Sequence, residues 1–210
     1  MRRAFQQTET KNQARPNFDQ YLDRRYKLSS AVTTRGRNRV TRTLLEGPAA
    51  MIATHNSLSE NIRCASASLL NKALSTAIDL QGQMKQAHWN LRGPGFIAVH
   101  KLFDDATALA YDQSDVLAER AGALGSEAMG TIQVAAKSTA LAPYPLKLAD
   151  ATAHIEAVCA ALAAYSTQLR DASQACTQSG DISSADLFTR LLGAIDAQQW
   201  LIEAHQPLTS

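Results

Sequence analysis

Two histidines and a set of carboxylates crowd one stretch of this chain: His88, His100, Asp104, Asp112, Asp115 and Glu119. Imidazole and carboxylate ligands without a thiolate suit iron, manganese or zinc rather than copper(I) or an iron–sulfur cluster. On an ideal helix His100, Asp104, Asp115 and Glu119 fall at about 0°, 40°, 60° and 100°, so they share one face. His100 and Glu119 are also 19 residues apart, roughly 28 Å along such a helix. The pair at one end therefore cannot share a metal with the pair at the other end of the same chain. Two copies crossing antiparallel about a two-fold axis would bring each pair onto the other's opposite. The axis is expected near residues 108–111, where Ala108 and Ala110 are small enough for close approach. His88 would join from the same chain as His100, giving two identical sites per dimer. The bland alternative is a solvated acidic helix face with two structural histidines; the shared face and the two-ended spacing together favour the metal reading.

The elements that must carry these residues read as helices. Alanine and leucine dominate the apolar residues after about residue 62 and aromatics make up only 6%, a mix that favours helix over strand. Apolar residues recur at three- and four-residue steps from about Leu58 to Trp89, and Gly93-Pro94-Gly95 ends that pattern. A second helix is expected over Phe96–Leu124, stopped by Gly125. A third spans Leu148–Gln178 and ends at Gly180. A fourth, capped by Asp181 or Ser183, runs to about His205. Residues 125–147 form a long connection in which Thr131–Lys137 could be a short helix. Short links imply antiparallel neighbours, and one long crossover makes this an all-α, ferritin-like four-helix bundle.

Charge divides the chain. Residues 1–50 hold 11 Lys and Arg against 4 Asp and Glu, a balance of +7, while residues 51–210 hold 10 against 15, a balance of −5. The first fifty residues lack a sustained helical stripe and read as a basic, disordered extension, with one short helix possible near Phe18–Tyr26. Residues 51–210 form the bundle domain, and Met51 offers an internal start. No apolar run is long enough to span a membrane and no secretory signal opens the chain. Cys64, Cys159 and Cys176 are odd in number and lack metal-type spacing, so they read as small buried residues of a reducing compartment.

The run from Lys85 to Asp104, with His88-Trp89-Asn90-Leu91-Arg92-Gly93-Pro94-Gly95-Phe96 at its centre, closely resembles the signature of Dps, the starvation-induced mini-ferritins. Asp115 and Leu117-Ala118-Glu119-Arg120 stand at that family's spacing. Tyr144-Pro145-Leu146, Ala185-Asp186-Leu187-Phe188-Thr189 and Trp200-Leu201-Ile202-Glu203-Ala204-His205 look like its later landmarks. The resemblance covers about residues 51–206.

It implies that His88, His100 and Asp104 come from one subunit and Asp115 and Glu119 from its two-fold mate. It also implies a dodecameric shell that oxidises iron(II), preferentially with hydrogen peroxide, and stores the ferric product. The Glu-x-x-His site of ordinary ferritins does not occur in this sequence. Asp181 and Asp186 lie near where the family's three-fold pores draw in iron, with Ser183 where some relatives carry another acid. Trp89, beside His88, is either an electron source or an interface packing residue. His55, His154 and His205 have no partner spacing and read as structural or surface residues.

Many relatives bind DNA through mobile basic tails, and here Arg35, Arg37, Arg39 and Arg42 would neutralise phosphates without reading sequence. The expected location is the cytoplasm, at the nucleoid. Two other readings remain: a nucleoid-compacting structural protein with secondary iron chemistry, and a zinc or manganese bundle with no redox role.

Overall fold

The computed structural model describes residues 51–206, and the basic segment with Arg35, Arg37, Arg39 and Arg42 and the possible helix near Phe18–Tyr26 lie outside them. Among the described residues there are five helices and no strand: α1 Glu60–Asn90, α2 Phe96–Ala123, α3 Ile132–Ser138, α4 Ala151–Ser179 and α5 Ile182–Glu203. The long four pack as a bundle in which α1 meets α2 and α4, and α5 meets α4 and α2. The all-α expectation holds, and each expected helix appears with its ends within three residues of the expected ones. None is long and apolar enough to cross a membrane.

Local chemistry sets the boundaries. The α1–α2 link closes through Gly93 and Gly95 at φ of 116° and 74°, backbone that a side chain would strain. The Asp150 side chain accepts from Ala153 N–H at 2.8 Å to start α4. Gly180, at φ 87°, ends α4, and Asp181 caps α5 one residue later. So tight a link forces α4 and α5 antiparallel.

The core between the helices is built on Phe103, Phe188, Tyr165, Leu70, Leu80, Met84, Leu162 and Ile195, all fully buried. Each large side chain so buried contributes about 1.5–3 kcal/mol. Ala67, Ala73, Ala77, Ala106, Ala110 and Ala121 fill the contact lines between them and let the backbones approach. Cys159 and Cys176 are buried and unpaired, and Cys64 is partly exposed and unpaired. Burial pushes the Cys159 thiol up to about 12.

The crossover is pinned by buried polar side chains of α1. Asn71 accepts from Met129 N–H at 2.8 Å and donates to the Glu127 carbonyl at 3.0 Å. Thr76 accepts from Ala140 N–H at 3.1 Å, and Gln83 donates to the Ala142 carbonyl at 3.0 Å. These bonds satisfy loop backbone that the bundle would otherwise bury unpaired. At the other end of α1, Ile52 N–H donates to Gly125 O at 2.7 Å, and Arg63 donates to the Leu124 carbonyl at 2.8 Å. A Cβ at Gly125 would meet Ile52 O at 2.5 Å.

Candidate metal centre

The α1–α2 link sets two imidazoles face to face. The rings of His88, in the last turn of α1, and His100, early in α2, stack with centroids 3.6 Å apart and planes at 23°. Phe96 lies against His100 at 4.8 Å. The two histidines are tied reciprocally: His88 Nδ1 lies 2.9 Å from the His100 carbonyl, and His100 Nδ1 lies 3.1 Å from the His88 carbonyl. A carbonyl can only accept, so both Nδ1 atoms carry the proton. The neutral form of each ring then keeps its free lone pair on Nε2, the tautomer a metal ligand needs. The His88 carbonyl is available because it belongs to the last turn of α1, where no later N–H of the helix claims it.

Asp104 stands one turn beyond His100, and its carboxylate pairs with the ammonium of Lys85. That hydrogen bond outweighs desolvation, which acts upward, and with the lesser help of the Lys85 charge and the nearby imidazoles holds the Asp104 carboxyl below its ordinary value. Lys85 precedes His88 by three residues and so shares its helix face. Sequence reasoning passed over it, although that spacing was there to read.

Asp115 and Glu119 are exposed on α2. Because α2 runs unbroken from Phe96 to Ala123, they lie roughly 22 and 28 Å along it from His100. The structure thus brings His88, His100 and Asp104 to one end and leaves Asp115 and Glu119 at the other. Within one subunit no three His, Cys, Asp or Glu side chains among the described residues converge on a point. The middle of this face carries Ala108 and Tyr111, the latter 64% exposed; Ile97 and Trp89 are exposed near the histidines.

Two expectations are corrected. Ala110 does not face the expected two-fold axis: it is fully buried in the bundle core. The wheel that aligns the ligands puts residue 110 at about 280°, on the opposite side of the helix. Asp181 does not line a pore in this subunit, because it is 1% exposed and otherwise engaged. Its Oδ1 accepts from Ser184 N–H at 3.0 Å and from Arg120 at 2.9 Å. Asp186 is exposed and pairs with Arg190. Of the remaining histidines, His154 is buried, while His55 and His205 are exposed.

Comparisons with known proteins agree with this fold. The sequence profile of the family described as ferritin-like domain matches residues 67–208. The chain is 36% identical over 152 residues to the DNA protection during starvation protein of Agrobacterium fabrum, covering 72% of this chain and 94% of that one. It superposes on DpsC from Streptomyces coelicolor with a TM-score of 0.72 at 25% identity, covering 79% and 99% of the two chains. It superposes on Dps from Microbacterium arborescens in the high iron form with a TM-score of 0.66 at 29% identity, covering 74% and 98%.

Proposed function

This chain belongs to the ferritin-like Dps family, and from that membership we propose that it oxidises iron(II) and stores the ferric product in a closed homo-oligomeric shell. The observation that carries the reading is the reciprocal His88–His100 pair, which fixes two Nε2 lone pairs at one end of an acidic helix face. The relative of known structure described as a high iron form supports iron as the metal handled.

In this proposal iron is substrate, bound between His88, His100 and Asp104 of one subunit and Asp115 and Glu119 of the partner subunit. The imidazoles suit iron(II), and the carboxylate oxygens stabilise the harder iron(III) as it forms. Two irons held together each give up one electron to one hydrogen peroxide. The O–O bond breaks, each oxygen takes a proton with its electron and leaves with the second proton already present as water. Because both electrons arrive in one event, free hydroxyl radical is avoided. Exposed Trp89, Ile97 and Tyr111 beside the ligands are apolar surface that the partner would cover.

The shell is proposed to be a dodecamer. The basic extension, with Arg35, Arg37, Arg39 and Arg42, is proposed to bind DNA without sequence preference, placing the protein at the nucleoid in the cytoplasm. Asp186, exposed at the start of α5, is the carboxylate retained for a pore that admits iron.

Anaerobic loading with iron(II), followed by one peroxide for every two irons, tests the proposal. Rapid formation of iron(III) without spin-trapped hydroxyl radical is expected. Oxidation no faster than in buffer alone would overturn it.

A further inference from the structure

We propose that Tyr144 and His154 form a proton-coupled electron donor, which yields one electron to oxidising radicals that reach the crossover. The Tyr144 hydroxyl lies 2.7 Å from His154 Nδ1, with the two rings inclined by 21°. Phenol is the stronger donor of the two and imidazole nitrogen the stronger acceptor, so the bond runs from Tyr144 O–H to His154 Nδ1.

The surroundings keep the imidazole able to accept. His154 is 2% exposed in the first turn of α4, where burial and the positive end of the helix both oppose a second proton. Asp150, which caps the same helix, is the one carboxylate acting against that trend. Burial also holds the Tyr144 hydroxyl up at about 12, so simple ionisation at neutral pH is closed to it.

Removing one electron from a phenol makes its O–H strongly acidic, and the proton must leave with the electron. Here the Tyr144 O–H bond breaks, the electron passes to the oxidant and the proton crosses to His154 Nδ1. The products are a neutral tyrosyl radical and an imidazolium. If the oxidant is hydroxyl radical, it gains that electron and a proton from solvent and leaves as water.

Among the described residues no other tyrosine has such a partner. Tyr165 is fully buried with its hydroxyl unpaired, and Tyr111 faces solvent. The same Tyr144–His154 bond anchors the crossover to α4, so a useful test must read more than stability. The step needs no bound iron and stands or falls apart from the proposed iron site.

The experiment uses metal-free full-length protein and a photogenerated ruthenium(III) polypyridyl oxidant, followed by transient absorption and electron paramagnetic resonance. Wild type is expected to give a tyrosyl signal whose rate of formation does not depend on the concentration of buffer base. Tyr144→Phe should lose that signal. His154→Phe, or His154→Gln if the former does not assemble, should form it about 100-fold more slowly, with a new dependence on buffer base. An unchanged tyrosyl signal in Tyr144→Phe, or a wild-type rate in either His154 variant, would overturn the proposal. If neither His154 variant folds, a wild-type rate that climbs with buffer base does so instead.

Discussion

The ammonium of Lys85 lies against the carboxylate of Asp104, so the histidine end of the candidate centre already holds a cation of its own. An incoming metal ion must displace that ammonium and also meets its repulsion. Lys85→Met keeps an unbranched stem, one atom shorter, and removes the charge. Zinc(II), a probe that undergoes no redox change, should then bind about tenfold more tightly by calorimetry, or ~1.4 kcal/mol. Equal or weaker binding would show that Lys85 does not compete.

Asp181 ties three elements together, because it caps α5, pairs with Arg120 of α2 and follows directly on α4. Burial pushes its carboxyl up, but the hydrogen bond from Ser184 N–H, the neighbouring Ser184 and Ser66 hydroxyls and the Arg120 charge outweigh that and leave it below the ordinary value of 3.8. A carboxyl lowered by folding stabilises the native state in full above its unfolded pKa, and the contribution is lost as pH falls through the folded pKa. Asp181→Ala should cost about 3 kcal/mol in urea unfolding at neutral pH, and Asp181→Asn less, since an amide still accepts from Ser184. The gap between wild type and Asp181→Ala should begin to narrow as pH falls below the ordinary carboxyl value of 3.8, towards the smaller gap between Asp181→Asn and Asp181→Ala, because a neutral carboxyl still accepts from Ser184. A gap that did not narrow in acid would assign the cost to packing instead.

The bundle was legible in the sequence because its cues are local. Gly93 and Gly180 stand where helices stop, Gly95 and Asp181 where they start, and the ligand face of α2 follows from spacing alone. Asp181 reads as a cap from sequence, yet its burial depends on Arg120, 61 residues earlier, and no periodicity reports that. The same holds for Asn71, Thr76 and Gln83, polar side chains of α1 that look like surface residues until the crossover lies over them. Ala110 differs in kind: its small size suits a close approach, but its angle on the helix, legible from spacing, turns it into the core. The stacking of His88 on His100 depends on the turn between them, which fixes two ring planes that spacing leaves free.

The extension and the body carry opposite charge, +7 over residues 1–50 and −5 over residues 51–210. Full-length protein should therefore retard duplex DNA at low salt and release it steeply as salt rises, because each phosphate contact frees condensed counterions. Protein starting at Met51 should not retard DNA at any salt concentration. Retardation by the shortened chain would move the DNA contact onto the bundle.

The central claim is that no single subunit completes the iron site, and subunit mixing tests it most directly. One variant carries His100→Ala and a second carries Glu119→Ala; each alone should oxidise iron at least about 100-fold more slowly than wild type. After co-assembly, every mixed dimer would hold one site with both defects and one with none. The mixture is therefore predicted to regain rapid oxidation in proportion to its mixed dimers. A mixed shell as slow as its two parents would contradict a site shared between subunits.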